Sequence, residues 1–105
     1  MAAFVQIIEY QTSRMDEVAD LSEEFRAARM AENQSRETAP TRITVAEDRD
    51  RPGYYLNIVE FESYEAAMEN SGRPETADFA AKLAELCDGP PKFYNLDVVQ
   101  RIDLG

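Results

Sequence analysis

The stretch TRITVAEDRDRPGYYLNIVEF, from Thr41 to Phe61, decides the fold because it contains two strands and the turn that joins them. β-Branched and aromatic residues alternate with polar ones on both sides of the pair Pro52-Gly53. Proline at the second position and glycine at the third favour a type II turn, since the third position needs a positive φ. The stretch therefore predicts a β-hairpin with strands over 41–48 and 54–61.

On the N-terminal side of this hairpin, the sequence predicts one strand and one helix. The run FVQIIEY, residues 4–10, alternates like a strand and is largely apolar on both faces, which indicates that both faces are covered. We expect Ser13 to cap the helix and Asn33 to lie near its end. Apolar residues then recur every three or four positions: Val18, Leu21, Phe25 and Ala28.

On the C-terminal side, a broken helix and a last strand are predicted. Ser63 is expected to cap the first part, Pro74 to begin the second, and Gly89 to stop it. The last strand, KFYNLDVVQRIDL, runs over 92–104, and we expect Leu96 and Val98 to face the helices.

The order of elements, β-α-β-β-α-β, predicts the ferredoxin-like fold. This is an α+β fold in which a four-stranded antiparallel sheet carries its helices on one face, and residues 1–105 are predicted to form one such domain. Two helices cover only one face, whereas the strands are apolar on both. We therefore predict a homodimer that buries the second sheet face against a second copy.

Charge and composition exclude several classes of partner and site. The chain has 11 basic and 21 acidic residues, a net charge of −10, so binding to nucleic acid or to an acidic membrane surface is disfavoured. No apolar run is long enough to cross a membrane, and the first residues lack a basic leader, which predicts a cytoplasmic protein. The sequence has no histidine, which excludes His-dependent catalysis and His-ligated metal or haem. The lone cysteine, Cys87, is more typical of a small buried residue than of a nucleophile.

The segment FESYEAAMENSGRPETADFAAKLAELCDGPPKFYNLDVV, residues 61–99, resembles the antibiotic biosynthesis monooxygenase-like proteins of the dimeric α/β-barrel superfamily. The resemblance lies in a strand that ends in an aromatic residue, a Ser-x-Glu-Ala-Ala helix start and a broken helix with an inward phenylalanine. It implies a pocket between the sheet and its own helices. It also implies one of two activities: cofactor-independent oxygenation of aromatic quinols, or haem binding with ring cleavage. Because the axial histidine of the haem branch has no counterpart, we expect no cofactor.

The alternation of side chains along the strands and this resemblance together predict the ligand-binding residues. Gln6 matches a polar pocket position of strand one, Asn70 stands where many catalytic members have histidine, and Phe61 stands where many have tryptophan. Amides and rings together suit a flat aromatic small molecule. The full predicted set is Gln6, Tyr10, Tyr55, Asn57, Phe61, Asn70 and Phe79.

Three functions remain open at this point. The protein is a small oxygenase that acts without a cofactor, a non-catalytic dimer that binds a hydrophobic ligand, or a dimer whose pocket is filled by its own side chains. Rings at these spacings are often core residues, whereas buried amides must find hydrogen-bond partners. The volume left between sheet and helices discriminates among the three.

Overall fold

The computed structural model describes residues 3–31 and 40–105. Four strands form one antiparallel sheet in the order β2-β3-β1-β4, and the chain order is β-α-β-β-α-α-β. The elements are β1 (Phe4–Gln11), α1 (Met15–Ala31), β2 (Arg42–Glu47), β3 (Tyr54–Phe61), α2 (Tyr64–Ser71), α3 (Pro74–Leu86) and β4 (Lys92–Asp97). This arrangement confirms the predicted α+β ferredoxin-like fold. The predicted end of the first helix, near Asn33, lies outside the described residues.

The hairpin forms as its turn residues predict. The Tyr54 N–H donates to the Arg51 carbonyl over 3.0 Å, and Gly53 has φ of 91°. These are the hydrogen bond and the positive φ of a type II turn, so the turn prediction is confirmed.

The predicted helix starts are confirmed at two positions and wrong at one. Ser63 caps α2, because its Oγ accepts the Ala66 N–H at 3.1 Å, and Pro74 is the first residue of α3. Ser13 does not cap α1. The Arg14 carbonyl accepts the first helical bond, and the Thr12 hydroxyl accepts the Arg14 N–H at 3.0 Å.

The predicted stop at Gly89 is also wrong, because α3 ends at Leu86. The Asp88 N–H already donates to the Gln11 carbonyl at 2.7 Å, so the chain turns towards the end of β1 before it reaches Gly89.

The last strand is shorter than predicted and faces the other way. Asp97 lies opposite Phe4, the first residue of β1, and beyond this pair the described chain adds the bond from the Val98 N–H to the Ala3 carbonyl at 3.0 Å. The register places Asn95 opposite Gln6 and Leu96 opposite Val5. Leu96 therefore lies on the face away from the helices, so its expected orientation is wrong. Val98 lies beyond β4, and its expected orientation stays a prediction.

The core between sheet and helices consists of two separate clusters of buried residues. The first cluster contains Phe4, Phe61 and Ala67, and the second contains Tyr10, Val18 and Leu83. Because Phe4 and Tyr10 stand at opposite ends of β1, the clusters occupy opposite ends of the sheet. The helix-facing residues of β1 between them are Gln6 and Ile8.

The opposite sheet face, called the open face here, carries six large apolar side chains beside the charged residues Glu9, Glu60 and Lys92, and no helix of the described chain covers it. Strand alternation assigns six large side chains to it: Val5, Ile7, Leu56, Ile58, Tyr94 and Leu96. Leu96 and Tyr94 are 45% and 40% exposed. None of the described helices is long and apolar enough to span a bilayer.

Candidate functional site

A cavity of about 290 Å³ lies between β1 and β4 on one side and α2 and α3 on the other. Its position follows from the sheet register, which leaves the middle of β1 between the two core clusters. The lining includes Gln6, Ile8, Met68, Phe79, Phe93 and Asn95. No described residue of the lining carries a charge at neutral pH. The cavity therefore suits an uncharged molecule with apolar faces.

Two amides form the polar part of this cavity. The Gln6 amide nitrogen donates to Ser71 Oγ at 3.3 Å and to Asn95 Oδ1 at 3.1 Å. The two hydrogens of this nitrogen thus both go to protein oxygens. Among the described residues, no hydrogen bond reaches Gln6 Oε1 or leaves Asn95 Nδ2. One acceptor and one donor consequently remain for a ligand.

Tyr10, Tyr55 and Asn57 form a different cluster, in the core beside the cavity. The Tyr10 hydroxyl donates to Asn57 Oδ1 at 2.9 Å, and the Tyr10 and Tyr55 rings stack with centroids 5.8 Å apart. Burial, followed by the Cys87 thiol and Tyr55, raises the pKa of Tyr10 to about 12. Tyr10 is therefore a neutral hydrogen-bond donor at physiological pH and cannot act as a base there.

Phe61 and Asn70 also lie outside the lining of the cavity. Phe61 is 1% exposed and packs in the cluster of Phe4 and Ala67. Asn70 is 7% exposed on α2, and no donor in the described chain reaches its Oδ1. A buried acceptor without a donor costs about 1–3 kcal/mol, which a bound hydroxyl group or water recovers.

Of the seven predicted site residues, the structure brings Gln6 and Phe79 together in one cavity. Tyr10, Tyr55 and Asn57 meet one another instead, whereas Phe61 and Asn70 stand apart on other parts of the core. A ligand-binding role for all seven stays a prediction.

Sequence reasoning missed Asn95 and Ser71, the two partners of Gln6. The signal for Asn95 is the spacing of amides in two strands that pair, but it becomes readable only with the register.

The remaining reactive groups do not add a catalytic centre to this region. Burial raises the pKa of the Cys87 thiol, and the nearby Asp88 carboxylate raises it further, so the thiol is a poor nucleophile. Within residues 3–31 and 40–105, no three Cys, Asp or Glu side chains are placed to hold a metal ion.

No family model matches the sequence, and no curated protein matches it. Solved structures do match. A proposed antibiotic biosynthesis monooxygenase from Deinococcus radiodurans has a TM-score of 0.68 at 16% identity, covering 97% of this chain and 98% of that one. The cofactor-independent oxygenase SnoaB from Streptomyces nogalater has a TM-score of 0.68 at 17% identity, covering 98% and 96%. The chain has the fold of the antibiotic biosynthesis monooxygenases.

A third structure carries the same fold without a named activity. Rv0793 from Mycobacterium tuberculosis has a TM-score of 0.67 at 19% identity, covering 96% of this chain and 99% of that one. The predicted resemblance to the monooxygenase-like proteins is thus confirmed at the level of fold. Identities this low do not carry over a substrate or a catalytic residue.

Proposed function

We propose that the protein binds a small, flat, uncharged aromatic molecule in the cavity between β1, β4, α2 and α3. The observation that carries the proposal is the neutral cavity between the two core clusters. Its volume of about 290 Å³ stands near the lower end of the range of about 300–1,000 Å³ for small-molecule sites. Phe79, Phe93 and Met68 supply rings and a thioether for the faces of a bound ring.

The reaction that this site supports is oxygenation of the bound ring by dioxygen, without a cofactor. A naphthol illustrates the balance: one oxygen atom replaces a ring hydrogen as a carbonyl, and the hydroxyl becomes a second carbonyl. The two hydrogens released leave with the other oxygen atom as water. The substrate supplies all the electrons, and its phenolic proton goes to solvent because the lining holds no charged base.

Non-catalytic binding of the same molecule is the second candidate. It is favoured by the absence of a carboxylate or an amine from the described residues of the cavity lining, since proton removal then depends on the acidity of the substrate. Measuring binding and oxygen consumption on the same samples separates the two functions.

We also propose that a second copy of the chain covers the open face. The six apolar side chains of that face include Leu96 and Tyr94, both strongly exposed in the single chain. A self-complementary sheet face of this kind forms a symmetric dimer. The cytoplasmic location stays a prediction.

Filling the cavity tests the proposed function. Ala80 lines the cavity, whereas its neighbour Ala81 is exposed on α3. We expect Ala80→Phe to abolish binding of α-naphthol, measured by ligand fluorescence under nitrogen, and Ala81→Phe to leave it unchanged. Thermal melts verify that both variants fold. Equal binding by both variants, or no binding by the unmodified protein, contradicts the proposal.

Oxygen uptake tests the reaction itself. With α-naphthol in air, we expect one dioxygen consumed for each quinone formed, and labelled dioxygen should place one labelled atom in the quinone. Binding without uptake above the rate of the buffer favours the non-catalytic function.

A further inference from the structure

We propose that Gln6 and Asn95 together select the ligand by two hydrogen bonds: the ligand donates one of them and accepts the other. A ligand hydroxyl donates to Gln6 Oε1, and a ligand carbonyl accepts from Asn95 Nδ2. The ligand class is therefore a hydroxylated aromatic ketone, with donor and acceptor on one ring system. This inference rests on the proposed function, because it concerns the same cavity.

The protein contacts of Gln6 decide which kinds of amide atom the pair leaves free for a ligand. Its amide nitrogen donates to Ser71 Oγ and to Asn95 Oδ1. Rotation of Gln6 alone keeps the bond to Ser71, because that hydroxyl can also donate, but it loses the bond to Asn95 and sets two oxygens against each other. Rotation of both amides together keeps both hydrogen bonds and exchanges the two free atoms, so the contacts leave the pair with one acceptor and one donor in either orientation. In the structure the free atoms are an acceptor on Gln6 and a donor on Asn95.

The position of the pair argues against a purely structural role. Gln6 and Asn95 are opposite one another in the β1–β4 register, on the helix-facing side. The neighbours of Gln6 on that face of β1 are Phe4 and Ile8, both apolar. The pair uses only part of its hydrogen-bonding capacity on the protein, and both residues line the cavity, where Asn95 is also exposed to solvent.

The same polarity rejects charged ligands. A carboxylate has no proton to donate to Gln6 Oε1, and the chain carries a net charge of −10, which repels anions. An ammonium group suits Gln6 Oε1 but has no acceptor for Asn95 Nδ2. A neutral ligand with one donor and one acceptor leaves neither amide unpaired.

Three bicyclic probes test this pairing: a hydroxytetralone with both groups, the parent tetralone with only the carbonyl, and a tetrahydronaphthol with only the hydroxyl. Their affinities are measured by calorimetry for the unmodified protein, for Gln6→Met and for Asn95→Leu. Ser71→Ala is the positioning control, since it removes an anchor of Gln6 and leaves both ligand-facing atoms. Thermal melts confirm that each variant is folded.

The expected result is a crossed pattern. Asn95→Leu should weaken the two carbonyl-bearing probes about 3- to 10-fold, the loss of one neutral hydrogen bond, and leave the tetrahydronaphthol unchanged. Gln6→Met should weaken the two hydroxyl-bearing probes and affect the tetralone less. Ser71→Ala should change the hydroxyl-bearing probes by less than Gln6→Met does.

Two other results distinguish failure of this inference from failure of the proposed function. If each variant weakens all three probes equally, the amides serve the shape of the cavity and the inference is overturned, although the proposed function stands. If the unmodified protein binds none of the three probes and no naphthol, the proposed function itself fails.

Discussion

The hydrogen bond between Tyr10 and Asn57 offers a direct test of how this core is held together. Both residues are buried, at 2% and 7% exposure, and the hydroxyl–amide distance is 2.9 Å. In Asn57→Leu the Tyr10 hydroxyl keeps only the Met15 sulfur, a weak acceptor at 3.9 Å. An orphaned buried hydroxyl costs about 1–3 kcal/mol of unfolding free energy. We therefore expect Asn57→Leu to lower stability by about 2 kcal/mol.

A double-mutant cycle isolates this bond from the change in packing. Tyr10→Phe leaves Asn57 Oδ1 without its donor, so it should also destabilise the protein. The double variant removes both partners, and its cost should be smaller than the sum of the two single costs by about 1–2 kcal/mol. Urea unfolding followed by circular dichroism gives the three free energies. The matched control is Asn95→Leu, the same substitution on an exposed residue, which should cost less than about 0.5 kcal/mol.

The result that refutes this reasoning is additivity within about 0.5 kcal/mol. An increase in stability in Asn57→Leu would also refute the reasoning, because it would indicate that Asn57 binds a ligand and that its hydrogen bond with Tyr10 does not stabilise the protein.

Four further outcomes are expected. Folding raises the pKa of Tyr10 to about 12 from its ordinary 10.0, so the stability that neutral Tyr10 contributes is complete below pH 10 and is lost as the pH rises from 10 to 12. Urea unfolding over this range should show that Tyr10→Phe loses about 2 kcal/mol less unfolding free energy than the unmodified protein. Equal losses of free energy in the two proteins would contradict the shift. Burial raises the pKa of the Cys87 thiol, so iodoacetamide at neutral pH should alkylate it more slowly than free cysteine, and more quickly once urea unfolds the chain; equal rates in the two states would refute a buried thiol. Asn70→Leu removes an acceptor that has no donor and should raise the melting temperature by several degrees, about 1 kcal/mol, whereas a fall would reveal a donor that reaches it. Sedimentation equilibrium should give twice 11.9 kDa for the unmodified protein and for Glu23→Lys on α1, and 11.9 kDa for Ile58→Lys on the open face; a monomeric unmodified protein would contradict the dimer.

The order of the strands could be predicted because local signals fix each element. Pro52 and Gly53 predict the turn by their own φ preferences, and Ser63 and Pro74 predict helix starts by capping chemistry. Such signals depend on a few neighbouring residues, so a sequence displays them fully.

The end and the orientation of β4 could not be predicted, because they depend on another strand. Apolar residues still follow Asp97, yet β1 begins at Phe4, and among the described residues the pairing continues only through the bond from the Val98 N–H to the Ala3 carbonyl at 3.0 Å. Both faces of β4 carry large side chains, so its parity alone does not say which face meets the helices. The register with β1 decides this, by placing Asn95 opposite Gln6.

The candidate site was predictable as a face of the sheet but not as a set of residues. The alternation of side chains correctly places Gln6 and Tyr10 on one face of β1 and Asn57 on the same face of β3. It predicts the same role for the amides of Gln6 and Asn57, however, and cannot distinguish them. Their difference comes from their partners: Asn57 accepts from a buried hydroxyl, whereas Gln6 donates to two oxygens and keeps its own oxygen free.

This difference between the two amides also accounts for the cavity. At Asn57 the amide meets the Tyr10 hydroxyl and the surrounding core closes over the pair, so that neither residue lines the cavity. At Gln6 the amide meets a second amide, Asn95, and the pair retains a donor and an acceptor that an apolar side chain packed against it would leave unsatisfied. Apolar packing therefore continues on either side of the pair, in the clusters of Phe4 and Tyr10, and stops between them. The polar pair that lies between the two clusters, at the exposed strand β4, is in this way also the group that we propose selects the ligand.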